Sequence, residues 1–157
     1  MPDRNALRKP YIYRLSISSS RGDKKRNVKS VKVTESGGLE GDAHADTFRA
    51  ISLLPYESFS SMKGFGLEIN PGDFAENITT VGMDLAKLSV GDRISLGESV
   101  VLTIVQLGKE CHDACSIGQA VGDCIMPREG VFARAVTAGL LREGDPITIL
   151  GPDDPAG

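Results

Sequence analysis

Between Gly108 and Val136 the chain reads GKECHDACSIGQAVGDCIMPREGVFARAV, a stretch that holds all three cysteines, Cys111, Cys115 and Cys124. His112, one of two histidines, lies inside it, and Lys109, Arg128 and Arg134 accompany it. The thiolate form of cysteine is the nucleophile and the metal ligand, and nearby cations lower a thiol's pKa. The same cations suit a phosphate. A thiolate beside an anion-binding patch therefore points to capture of a phosphorylated cofactor with a soft reactive centre, for which cysteine is the natural protein ligand. Taken singly, Arg128 and Arg134 also read as ordinary surface charges. At least one of the cysteines is expected to be a small buried hydrophobe.

A second chemistry stays open. Cys111, Cys115 and Cys124 together with the distant His44 offer four zinc ligands. The spacing lacks the paired knuckles usual in structural zinc sites. An iron–sulfur cluster usually takes four thiolates, and the chain has three. The alternative to a soft-cofactor site is thus a non-enzymatic zinc-binding or structural module.

The elements that must position this loop are short and punctuated by glycine. Residues 11–18 (YIYRLSIS) alternate with a period of two, which predicts a strand. The polar cluster 19–27 reads as a loop or hairpin tip, and Val31 and Val33 restart the alternation. SGGLEGDAHAD (36–46) carries three glycines around Asp42 and His44, a composition that lets backbone approach a ligand closely or simply makes a surface turn. Arg49 opens a buried strand ended by Pro55, and residues 56–63 are read as a short helix. A Pro-Gly-Asp turn leads to a strand around Ile78, and residues 83–88 allow one helical turn. VGDRISLG (90–97) and EGDPITILG (143–151) are near-repeats, each a Gly-Asp turn feeding a strand. Between them, 99–107 is nearly continuously apolar and is expected to be buried on both faces. Residues 131–136 make a further strand, with Gly139 expected to end it.

Seven or eight strands, roughly, and at most two short helices predict an all-β fold, a mainly antiparallel β-barrel. The chain is read as one domain over 1–157, with a core of 11–150 and frayed ends. Net charge is −3 and the isoelectric point near 5.4. That balance, with no tryptophan and few aromatic residues, argues against a nucleic-acid partner. No apolar run approaches the roughly 18–20 residues a bilayer span requires, so no membrane partner is expected. The charged amino terminus has no apolar segment behind it, and an odd cysteine count suggests reduced thiols. The expected compartment is the cytoplasm.

GLEGDAHA (38–45), RAISLLPYES (49–58), PGDFAENITTVGMDLAKLSVGDRISLG (71–97), the cysteine loop, and GVFARAVTAGLLREGDPITI (130–149) occur in that order. In this order the segments resemble the MOSC domain, named for the carboxy-terminal domain of molybdenum cofactor sulfurase. The resemblance covers about Tyr11 to Leu150 and implies a stand-alone domain, without the amino-terminal β-barrel domain of the larger reductases. It implies a β-barrel that binds molybdenum cofactor, a molybdopterin with a phosphate tail. It further implies either a small molybdenum-dependent oxidoreductase or a carrier of cofactor or sulfur. An electron donor or a sulfurtransferase is the partner protein this implies. In reductase members a loop cysteine of a C-x2-C motif ligates molybdenum, followed by Ile or Val. Here Cys111-His-Asp-Ala-Cys115-Ser-Ile has one extra residue between the cysteines, and Lys109-Glu110 replaces the usual proline-containing lead. Cys115 is the first choice of metal or sulfur ligand, Cys111 the second and Cys124 the third. Asp42, His44, Arg49 and Asn77 are carried over from family-like motifs as cofactor-binding residues, and Arg128 and Arg134 join them through their closeness to the cysteines. The loops 36–46 and 108–130 are expected to share one mouth of the barrel.

Overall fold

The structure, a computed structural model, describes residues 10–18, 25–42, 50–56, 71, 76–107 and 130–152. Ten strands are found among them: β1 (Tyr11–Ile17), β2 (Arg26–Val28), β3 (Ser30–Val33), β4 (Ile51–Pro55), β5 (Ile78–Val81), β6 (Asp92–Leu96), β7 (Val100–Leu107), β8 (Val131–Thr137), β9 (Gly139–Arg142) and β10 (Ile147–Pro152). One 3-10 turn, Leu85–Lys87, falls in the predicted helical stretch 83–88. The expected helix over 56–63 lies outside the described residues except for Tyr56.

Eight strands form one sheet in the order β10-β6-β7-β8-β4-β5-β1-β2, while β3 and β9 pair separately. Every described pair is antiparallel except β4 with β5. That parallel pair needs a crossover, because parallel neighbours cannot be joined by a tight turn. Leu15, Ile78, Leu53, Ala133 and Ile104 contribute to a buried core with Ile94, Leu102, Val33 and Leu39.

The all-β class holds, but the ladder does not close into a barrel. The outer edge of β1 is divided between two partners. Its last residues, Leu15 to Ile17, pair with β2. Its first residues meet the approach to β10 through a Tyr11–Pro146 bridge, an Ile12 N–H to Asp145 O bond of 2.9 Å and a Gly144 N–H to Ile12 O bond of 2.8 Å. The start of β1 thus meets the approach to β10, while β2 occupies the rest of that edge.

The near-repeats have one local structure. Asp92 Oδ2 accepts from Ser89 N–H at 2.9 Å, and Asp145 Oδ2 accepts from Arg142 N–H at 2.8 Å. Gly91 and Gly144 have φ of 97° and 88°, the left-handed conformation such turns require at the third residue. The strands they feed, β6 and β10, pair with each other, Leu96 opposite Ile147.

Two expectations are corrected. β7 is not buried on both faces: Val100, Leu102 and Ile104 are buried, while Val101, Thr103 and Val105 are partly exposed. That alternation belongs to an antiparallel sheet with one face on the core. Gly139 opens β9 rather than ending the strand region, because its lack of a side chain admits Ser99 and Val100 beside it.

Candidate functional site

Register places the described residues that flank the two chemistry-bearing segments. Leu107 faces Val131, Val131 faces Leu53, Leu53 faces Ile78 and Ile78 faces Leu15, so one row crosses five strands. The cysteine segment departs from this row one step past Leu107 and returns one step before Val131. Asn77, Ala50 and Ser18 lie on the opposite side of the row, where β4 and β5 begin and β1 ends. Asp42 and Ala50, the anchors of residues 43–49, are thus about 10 Å along the strands from the row, at about 3.3 Å per residue.

His44, Arg49, Cys111, His112, Cys115, Cys124 and Arg128 lie outside the described residues, and with them the expectation of a shared mouth. The anchors set what such a site requires. A segment of the length of 108–129 can double back by 10 Å with ease, since an extended chain spans roughly 3.3 Å per residue.

Three candidates are described, and each is engaged with protein. Asp42 is buried, and its Oδ1 lies 2.6 Å from Lys25 Nζ and accepts from Ser18 N–H at 3.1 Å. Both side chains of the pair are shielded, 2% exposed for Lys25 and 0% for Asp42. Removing one partner of such a pair leaves an uncompensated buried charge. Lys25→Met is accordingly expected to lower stability by about 3–5 kcal/mol in urea unfolding. A change under about 0.5 kcal/mol, typical of a surface site, would show that the pair is not buried in solution.

Asn77 is also buried, and its side chain staples three strands. Its Oδ1 accepts from Ser52 N–H at 2.9 Å and from Ser52 Oγ at 3.2 Å, and its Nδ2 donates to Ser16 O at 3.1 Å. Its backbone N–H reaches Ser52 O at 2.9 Å, and its carbonyl accepts from Ser16 N–H at 2.8 Å. Next to it, buried Glu76 accepts from Thr79 Oγ1 at 3.0 Å. Asn77 therefore sits where the parallel pair begins, filling backbone bonds that β1 and β4 would otherwise leave open.

Arg134 stands on β8 opposite Thr103 and packs on Gly37. Its Nη2 donates to Ser36 O at 3.1 Å, and Ala135 N–H donates to Gly37 O at 2.9 Å. Gly37 has φ of 107°, and a Cβ there would lie 3.2 Å from the Arg134 Nε. The arginine clamps the glycine turn to β8, and a guanidinium carries five N–H donors, so the clamp uses only part of its capacity.

Sequence reasoning missed Lys25, Ser16 and Ser52. Ser16 and Ser52 had a readable signal, a polar residue inside an otherwise apolar strand. Lys25 had none, sitting in a cluster of surface-type cations.

The MOSC domain profile matches residues 40–148. The chain belongs to the MOSC domain family. Among curated proteins none matches it by sequence. Solved structures similar to this MOSC domain include YuaD from Bacillus subtilis, at 17% identity and a TM-score of 0.72, covering 94% of this chain and 98% of that one. YiiM from Geobacillus stearothermophilus is 19% identical with a TM-score of 0.67, covering 90% of this chain and 75% of its own. YiiM from Escherichia coli is 18% identical with a TM-score of 0.65, covering 91% and 71%. At these identities the likeness speaks for the fold.

The family is associated with molybdenum cofactor, a group that calls for soft and phosphate-binding donors. Among the described residues no group of three or more His, Cys, Asp or Glu side chains could hold a metal ion. Asn77 spends its side-chain polar atoms on β4 and β1, and Asp42 Oδ1 is engaged with Lys25 Nζ and Ser18 N–H. The donor types that suit a soft metal and a phosphate, thiolates and arginines, occur in residues 43–49 and 108–129 of this MOSC domain. Among the described residues no helix is long and apolar enough to cross a membrane.

Proposed function

We propose that this MOSC domain binds molybdenum cofactor, with a loop cysteine as the metal or sulfur ligand, and serves cofactor or sulfur transfer or a small molybdenum-dependent oxidoreduction. The observation that carries the reading is the family match over 40–148, which encloses both the histidine–arginine segment and the whole cysteine loop. Cys115 is assigned as ligand, with Cys111 and Cys124 as alternatives. His44, Arg49 and Arg128 bind and orient the cofactor, the arginines through its phosphate. When bound, the cofactor supplies redox or sulfur chemistry that no side chain offers. The chain's own residues hold a thiolate near neutral pH and neutralise the phosphate. Asp42 and Asn77, read from the sequence as cofactor-binding, support the site through their bonds to Lys25, Ser18, Ser52 and Ser16, and Arg134 joins Arg49 and Arg128 at the phosphate. An electron donor or a sulfurtransferase partner acts in the cytoplasm with the domain.

Metal and pterin analysis of protein isolated from its own host tests the reading. Molybdenum with a releasable pterin supports it, whereas stoichiometric zinc, or neither metal nor persulfide, overturns it. A second measurement concerns Arg49. Lysine keeps the charge but lacks the planar fork of donors. Arg49→Lys is expected to weaken cofactor binding by about tenfold, equivalent to one charge-assisted hydrogen bond at about 1.4 kcal/mol. Unchanged affinity removes Arg49 from the site.

A further inference from the structure

The buried ion pair between Lys25 and Asp42 joins parts of the chain that strand pairing leaves separate. Lys25 precedes β2, and Asp42 is the last described residue before 43–49, the segment that carries His44 and Arg49. The turn leading to Asp42 is fixed at three points. Leu39 is bridged to Val33. Gly41, with φ of 85°, folds against the end of β1, where a Cβ would lie 3.6 Å from Ile17 Cδ1. Asp42 itself is held from both sides, by Lys25 Nζ at 2.6 Å and Ser18 N–H at 3.1 Å, while its N–H donates to Leu39 O at 3.1 Å.

We propose that Lys25 and Asp42 form a positioning latch. The pair sets the direction in which the chain enters 43–49, and so where His44 and Arg49 are delivered; neither residue touches the cofactor. Stability alone does not account for the pair. Well-packed neutral residues of similar volume often match or exceed a buried ion pair in stability. What the pair adds is geometry. Asp42 Oδ1 can meet Lys25 Nζ and Ser18 N–H together only with the 39–42 turn docked on the β1–β2 hairpin. An apolar contact would tolerate sliding and rotation. Lys25 is thereby a positioning residue contributed by a separate segment, 17 residues before Asp42 in the chain.

The cofactor arm of the test rests on the proposed function, whereas the exchange arm does not. Lys25→Met with Asp42→Asn neutralises both charges, nearly conserves volume and keeps an acceptor for Ser18 N–H. The double variant is expected to fold with a thermal midpoint near that of the wild type. Amide hydrogen exchange across 43–49 should rise about tenfold or more while exchange in β4, β5 and β7 stays unchanged, the pattern of a local opening. Molybdenum or pterin loading should fall in parallel, and Lys25→Arg should retain both properties. Unchanged exchange across 43–49 in the folded double variant overturns the latch, as does a rise spread evenly over all strands. If the double variant does not fold, a second neutral pair, Lys25→Leu with Asp42→Asn, decides by the same exchange criterion. If wild-type protein carries neither molybdenum nor pterin, the cofactor reading fails, and the exchange comparison still judges the latch.

Discussion

Cys115→Ser is expected to abolish bound molybdenum or persulfide while leaving the protein folded. Serine keeps the size of the side chain but offers a hydroxyl that stays protonated at neutral pH. A cysteine beside cations supplies a thiolate, the form that binds a soft metal and accepts sulfur. Lys109, His112 and Arg128 are within a few tens of residues of all three cysteines, so electrostatics alone does not choose among them. Position along the loop does. Cys111 follows closely on the end of β7, and Cys124 is followed by Ile125 and Met126, a context suited to burial. Cys115 sits further along the loop from β7 than Cys111 does, and it has Ile117 shortly after it, as in the family motif. Loading should fall at least about 100-fold, since outer partners of metal ligands already cost 10–100-fold when mutated. Alkylation at neutral pH should label Cys115 fastest, and Cys124→Ser should mainly affect stability. Full loading of Cys115→Ser, with loss in Cys111→Ser or Cys124→Ser, would move the ligand to that residue.

Asn77→Ala is expected to destabilise the fold strongly. The substitution removes the acceptor for Ser52 N–H and the donor to Ser16 O, both buried. Each buried polar group left unsatisfied costs about 1–3 kcal/mol. The loss should therefore be about 3–5 kcal/mol once the small cavity is included, a large part of the 5–15 kcal/mol, roughly, that stabilises a typical domain. Urea unfolding measures it. Asn77→Asp offers a sharper comparison, because its protonated carboxyl keeps an acceptor for Ser52 N–H and an O–H donor for Ser16 O, whereas the ionised form can only accept. It should cost less than Asn77→Ala at a pH where the new carboxyl is protonated. If Asn77→Ala unfolds at wild-type urea concentrations and instead loses only cofactor, Asn77 is a ligand and the staple is secondary.

These two residues also show where reading along the chain succeeds and where it stops. The family-like order of segments already placed a cysteine between two strands, and β7 and β8 do flank residues 108–129. The same order marked Asn77 as functional without indicating what it contacts. Its partners are Ser52, 25 residues away, and Ser16, 61 residues away, which meet only because β5 runs between β4 and β1. A motif records that a residue type is required at a position, and burial decides whether the requirement comes from a ligand or from a neighbouring strand.

What the sequence by itself determined is local. The Gly-Asp turns before β6 and β10 follow from residues within one four-residue window: a glycine free to adopt positive φ and an aspartate that caps the turn. The strand β1 and the single helical turn after Gly82 follow likewise from periodicity over a few residues. Only the tertiary structure decided that Lys25, from a run of surface-type cations, is buried against Asp42, or that Gly139 begins a strand on β3. It also decided that β1 shares its edge between β2 and the approach to β10, leaving the sheet open. Turn and strand signals arise from backbone sterics and neighbouring side chains. Buried polar pairing and edge closure depend on which distant segments arrive together, and that is set by packing of the whole sheet.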